Sequence, residues 1–181
     1  MIDRTKATIL DSFNNLIKKK SFDSITIEMI VKEAGISRTT FYRYFKDKYD
    51  VMNYNFQQVL EKYFNKENVD TFEDLFYIFF KIGKEKWSTM TNMFDSSGAN
   101  SLNKFITETC YSAAILTLGN RIGFDNITPQ DRLQISVFCH GVPETFQEWV
   151  NGEYDMSPKD AAEAAIPLIP PKLRGEIFKK E

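Results

Sequence analysis

Between Ser37 and Arg43 the chain reads SRTTFYR, and Ser37, Arg38, Thr39, Thr40, Tyr42 and Arg43 all carry side-chain hydrogen-bonding groups. On one short helix Phe41 points inward, and Arg38, Thr39, Thr40, Tyr42 and Arg43 make an outward polar face. The chemistry open to such a face is recognition of a nucleic acid. An arginine fork matches O6 and N7 of guanine, and a threonine offers a hydroxyl to a base or a methyl to thymine. The phenols of Tyr42 and Tyr44, with Thr26 and Lys48, are placed to meet phosphate oxygens. Helix starts at Thr26 and Asp47 present free backbone N–H groups of the kind that bind phosphate.

Other chemistries find no such pattern. The chain has a single histidine, His140, and two cysteines, Cys110 and Cys139, without metal-ligand spacing. It has no paired catalytic carboxylates, no phosphate-cradling glycine loop and no nucleophile elbow. No enzyme activity, metal or cofactor is expected.

The outward face needs a rigid frame. Ile30, Val31, Ala34, Ile36, Phe41 and Phe45 clamp two short helices on a first one, and Gly35 supplies the turn between them. This is a helix-turn-helix pattern, in which the second helix enters a major groove. The first helix is predicted from about Asp3 to Lys20, on the stripe Ile2, Ile9, Leu10, Phe13, Leu16 and Ile17. Arg4 and Lys6 at its start suggest an arm into the minor groove.

Beyond residue 48 nearly every segment keeps a helical period. Asp47 caps a helix to about Asn65, and Thr71 with Asp74 forms a capping box for another through Lys86. Trp87–Phe94 is a short helix, and Asp95–Asn100 a loop. A helix from Ser101 is expected to end near Gly119. Thr128–Pro129 and Ser157–Pro158 each open a helix, the first running to Val150 with Pro143 as a possible kink, the second to about Leu168. The fold expected is all-α with about nine helices, a three-helix head over residues 1–48 and a helical-bundle body over 49–181.

Charge supports the division. Of 23 basic and 25 acidic residues, the first 50 positions hold 10 and 7, and the rest hold 13 and 18. A basic head on an acidic body suits a protein whose head alone meets a polyanion. With 43% apolar residues and 16 phenylalanines the chain is not disordered. Its longest apolar run, Leu75–Phe80, is six residues, against about 18 for a membrane span. Sparse cysteine and a charged start without an apolar signal core point to the cytoplasm.

The run AGISRTTFYRYFKDK, with Thr26 ahead of it, resembles the DNA-binding head of the TetR (tetracycline-repressor) family of bacterial transcription regulators. That pattern is a Thr-led helix, then Ala34-Gly35-Ile36-Ser37, then Phe41-Tyr42-Arg43-Tyr44-Phe45, then Lys46-Asp47-Lys48. The resemblance covers about residues 3–50 and departs at Val31, where alanine is usual. It implies a repressor that binds a palindromic double-stranded DNA operator as a homodimer and is released by an effector held in the body. An adaptor or activator of the same fold, controlled by a protein partner, is the alternative.

Phe146–Trp149 followed by NGEYDMSPKDAAE is similar to the end of the body in a TetR subgroup that includes dihydroxyacetone-kinase regulators. Gly141, Trp149, Gly152, Ser157 and Pro158 carry that similarity, whereas His140 and Pro143 depart from it. The family implies a dimer seam formed by Gln130–Val150 and Lys159–Leu168, with Ala161, Ala162, Ala164 and Ala165 letting helices approach closely. A pocket for a small apolar or aromatic effector is expected among Trp87, Met90, Phe105, Tyr111 and Phe138, with His140 near its wall.

Overall fold

A computed structural model of the chain describes residues 4–66, 69–94, 96 and 101–175, excepting the side chains of 64–66, 87, 88 and 90. The helices are α1 (Arg4–Ile17), α2 (Ile27–Ala34), α3 (Arg38–Tyr42), α4 (Lys48–Lys66), α5 (Phe72–Glu85), α6 (Trp87–Phe94), α7 (Leu102–Ile122), α8 (Pro129–Val150) and α9 (Pro158–Ala165). A 3-10 turn at Phe22–Ser24 separates α1 from α2. Among the described residues there is no strand, so the chain is all-α as its periodicity predicts. The expectations for Ile2, Asp3 and most of the 95–100 loop lie outside the described residues.

Polar caps set the helix starts. Thr26 accepts from Met29 N at 3.2 Å, and Ser37 accepts from Thr40 N at 3.0 Å. Asp47 accepts from Asp50 N at 2.8 Å, and Asp50 returns a bond from Lys46 N at 3.0 Å. Thr71 and Asp74 form the expected capping box, with bonds of 2.9 and 3.1 Å. Thr128 and Asp131 form another at the start of α8. Each cap satisfies an amide that the helix itself leaves open, worth about 1 kcal/mol apiece.

The end of α7 differs from expectation. Gly119 does not end α7, which runs on to Ile122 and stops at Gly123, where φ is 85°. Gly119 instead makes room for a neighbour: a Cβ there would stand 2.3 Å from the Phe124 ring. Helix α8 runs from Pro129 to Val150 as expected, with Pro143 buried inside it.

The chain forms two compact units. The first comprises Met1–Glu61 and Lys86–Leu102, so α6 joins the head helices and the first turns of α4. Its core holds Ile9, Phe13 and Ile17 of α1, Ile30 of α2, Phe41 and Phe45, and Val51 and Met52 of α4. Asn14 and the buried Asn55 exchange amide hydrogen bonds of 3.1 and 3.0 Å, tying α1 to α4. Asn92 of α6 donates to the otherwise open Ile17 carbonyl at 2.7 Å.

The second unit comprises Lys62–Glu85 and Asn103–Glu181. Phe80 of α5 packs with Phe146 and Trp149 of α8, the Phe80 and Trp149 rings edge-on at 5.0 Å, and Phe76 packs with Phe138. Gly83 permits this approach, since a Cβ there would lie 2.6 Å from Phe146 Cζ. Helix α9 lies against α5. Lys172 joins the buried Asp131 carboxylate at 2.8 Å. That bond, with the Thr128 hydroxyl and amide, holds the Asp131 carboxyl down at about 2.

Candidate nucleic-acid interface

Helix α2 ends in one step. Gly35 adopts φ 65°, and Ile36 N bonds back to Val31 O at 3.1 Å. A residue with a side chain is strained at that φ, so glycine sets the angle at which α3 departs. The single α3 turn is anchored by Phe41, wholly buried, and by Phe45 just beyond it. Phe45 rests edge-on against Tyr54 at 5.8 Å, with Phe41 6.1 Å away on its other side.

With Phe41 inward, Arg38, Thr39, Tyr42 and Arg43 are exposed together on the opposite face. Tyr42 stays 49% exposed although it is a large ring, which is what a contact surface requires. Arg38 has two exposed partners: Nη1 lies 3.5 Å from Glu28 Oε2, and Nη2 is 3.5 Å from the Tyr42 hydroxyl. The Tyr42 hydroxyl, and to a lesser degree Glu28, strengthens the guanidinium's hold on its proton. Both contacts are long and exposed, so they orient the fork without locking it. Glu28 is a site residue that sequence spacing does not reveal, because only the turn angle brings α2's first turn beside Arg38.

The remaining expected contacts divide. Ser37 and Thr40 hydroxyls bond to each other at 2.9 Å, so both serve the cap as well as the face. Thr26 is exposed at the N-terminus of α2, and Tyr44 is half-buried. Lys48, expected to meet phosphate, makes its bonds within the chain. Its ammonium donates to Phe22 O, Asp23 O and Ile25 O at 3.0, 3.1 and 2.9 Å, and sits 4.5 Å over the Phe22 ring. An ammonium has three donors, and all three are used on the 3-10 turn. Burial lowers the Lys48 pKa below its ordinary value. Lys6 is no free arm either: it lies within α1, with its ammonium 3.5 Å over the Tyr54 ring.

In the second unit an open apolar groove of about 640 Å³ lies between α5, α8 and residues 165–174. Its walls include Phe76, Phe79, Phe80, Phe138 and Phe146. Arg174 also lines it, yet Nε and Nη2 donate to Ile169 O and Pro167 O at 3.0 and 2.8 Å. Leu133, Val137 and Leu168 stand on the rim, 65%, 67% and 71% exposed.

Of the expected pocket residues whose side chains are described, only Phe138 lines this groove. Phe105 and Tyr111 lie on α7, half-buried and away from it. His140 is exposed, with Nδ1 2.7 Å from Ser136 O, so the ring donates within its own helix. The Trp87 and Met90 side chains lie outside the described residues. The groove's α5 residues were visible in the sequence as the Leu75–Phe80 run, which carries aromatics on more than one helix face. The alanines divide too: Ala161 and Ala162 are buried within the chain, Ala165 is half-buried and Ala164 is exposed.

Comparison with known proteins concentrates on the head. Residues 9–54 match the family described as bacterial regulatory proteins, tetR family. An uncharacterized HTH-type transcriptional regulator of Haemophilus influenzae is 39% identical over 46 residues, 25% of this chain. That match spans 22% of the relative's length. The whole fold resembles solved structures at low identity. NalD, the secondary repressor of the MexAB-OprM multidrug efflux pump in Pseudomonas aeruginosa, aligns over 91% of this chain and 94% of its own. Identity is 18% and the TM-score 0.57. The fatty acid degradation regulator FadR from Bacillus halodurans aligns over 96% and 100%, at 17% identity and a TM-score of 0.56. Residues 9–54 therefore match the tetR family of bacterial regulatory proteins, in a chain whose all-α fold is shared with NalD and FadR.

Proposed function

We propose that this chain is a DNA-binding transcriptional regulator, acting as a repressor, that reads a two-fold operator as a homodimer. The observation that carries the reading is the α3 face: four exposed polar residues backed by a wholly buried phenylalanine, inside the stretch that matches the tetR family. Arg38 reads a base, with Thr39 and Tyr42 beside it, and Arg43 and the start of α2 meet phosphate. NalD, a named repressor that shares the fold, supports repression as the mode.

The dimer in this reading forms through the exposed rim of α8 and the segment after α9, where Leu133, Val137 and Leu168 offer apolar surface. Ala161 and Ala162 are already buried within the chain, so only Ala164 and Ala165 of the expected stripe remain for a partner. The effector is a small apolar or aromatic molecule. The groove supplies phenyl walls, and Arg174, the one cation among its described lining residues, is engaged by backbone carbonyls. The effector would act by favouring a body state in which the two heads no longer span adjacent major grooves.

The test is selection of bound duplexes from a random pool by the full chain. Enrichment of an inverted repeat supports the reading, and no enrichment above input refutes it. Sedimentation of Leu133→Glu with Val137→Glu checks the seam: the pair should be monomeric and helical where the parent is dimeric. Melting in the presence of apolar and aromatic compounds checks the groove, since a ligand at 100 times its dissociation constant adds about 2.7 kcal/mol.

A further inference from the structure

The chain's two cysteines are 29 residues apart in sequence and meet inside the second unit. Cys110 stands on α7 and Cys139 on α8, with sulfurs 3.2 Å apart and the Cys139 thiol donating toward Cys110. Neither is bridged. The helices that carry them are held in antiparallel register by a second contact. The Asn103 amide of α7 donates to Glu144 Oε1 at 2.9 Å and to Gln147 Oε1 at 3.0 Å. Two turns along α7 from Asn103 is Cys110, and two turns back along α8 from Gln147 is Cys139. Cys139 is fully buried, whereas Cys110 is half-buried. Ordinary disulfides have sulfurs about 2.05 Å apart, so closing this pair takes a movement of roughly 1 Å.

We propose that Cys110 and Cys139 form a hydroperoxide-oxidised dithiol, which closes to an intramolecular disulfide tying α7 to α8. In the first step the Cys110 thiolate attacks one oxygen of a hydroperoxide. The S–O bond forms, the O–O bond breaks, and the alcohol or water leaves with a proton, giving a sulfenic acid at Cys110. In the second step the Cys139 sulfur attacks that sulfur. The S–S bond forms, the S–O bond breaks, and hydroxide leaves with the Cys139 proton as water. The two thiols lose two electrons in all, and the peroxide takes them.

The order of attack follows the hydrogen bond. Donation from Cys139 lowers the Cys110 pKa, while that same bond, and burial after it, raises that of Cys139. The thiolate is the nucleophile, and it forms first at Cys110, the less buried of the two residues. This inference does not depend on the chain binding DNA.

The experiment treats the reduced, folded full-length chain with hydrogen peroxide at neutral pH. The expected result is loss of both titratable thiols, a mass decrease of two hydrogens, monomeric mobility on a non-reducing gel and recovery with dithiothreitol. Peptide mapping should link Cys110 to Cys139, and the oxidised chain should melt at a higher temperature. In C139S, dimedone should label Cys110 as the sulfenic acid. In C110S, the Cys139 thiol should survive the same exposure. Two unreacted thiols under peroxide that consumes them in the denatured chain would overturn the proposal. So would a sulfinic acid at Cys110 without the link, or a disulfide between two chains.

Discussion

Lys48→Ala separates two readings of one side chain. The ammonium makes three bonds of 2.9 to 3.1 Å to the carbonyls of Phe22, Asp23 and Ile25. Water replaces the exposed Asp23 bond at little cost. The two part-buried bonds are worth about 0.5–1 kcal/mol each after solvent competition, and the contact with the Phe22 ring adds about 0.5. The loss should total about 2 kcal/mol. For a chain of this size each kcal/mol lowers the melting temperature by roughly 2–4 °C, so a drop of about 4–8 °C is expected. Lys48→Met, which keeps most of the stem, should lose nearly as much if the ammonium is what matters. The second assay is operator affinity against salt. A phosphate contact contributes about 0.9 to the slope of log K against log salt, so losing one per head from a dimer would flatten it by nearly 2. The slope should instead stay at the parent value. An unchanged melt with a flattened slope would refute the assignment and return Lys48 to the phosphate backbone.

Arg38→Ala should weaken operator binding by about 1–3 kcal/mol and relax base choice at one position in each half-site, read by repeating the selection with the variant. An unchanged consensus would exclude base reading by Arg38. Gly83→Ala should cost about 1–3 kcal/mol in denaturant unfolding, because the new methyl meets the buried Phe146 and Trp149 rings. A neutral result would mean that α5 can shift away from α8. Phe41→Ala should remove about 3–5 kcal/mol and abolish operator binding by freeing α3. Asp131 titrates at about 2 when folded against an ordinary 3.8. The unfolded chain therefore takes up that proton first. The stability it contributes is present above about pH 4 and drains as pH falls toward 2. Acid unfolding of Asp131→Asn should lack that part of the slope, and identical pH profiles would contradict the Lys172 pairing.

Helix starts were legible because the signal is local. Thr26, Ser37, Thr71, Thr128 and Ser157 each meet a backbone amide three residues on. The end of α7 was not, because a glycine can serve two purposes. Gly123 takes the left-handed turn, while Gly119 yields space to Phe124, and spacing cannot tell them apart. The outward face of α3 was readable from one buried phenylalanine and its neighbours. Partners that arrive from elsewhere in the fold were not. Lys48 meets a turn more than twenty residues earlier, and Ala161 and Ala162 signal close packing without saying on what. The groove was missed because the α5 aromatics cover several helix faces, so periodicity alone does not say which of them face α8.

Asn92 has a consequence for how this protein can be taken apart. Its amide closes the end of α1 from a helix some seventy residues further along, and α6 counts with the head units in compactness. The chain thus leaves the first unit near Glu61, returns at Lys86 and leaves again after Leu102. A cut at residue 48, where the motif ends, would strip that unit of most of α4 and all of α6. It would open the Ile17 carbonyl and take Val51 and Met52 out of that unit's core. A chimera that transplants DNA specificity onto another body should therefore exchange the face of α3 residue by residue. The same interleaving places long-range closure in the folding of the first unit, which must wait for synthesis to pass Leu102 before its last helix can dock.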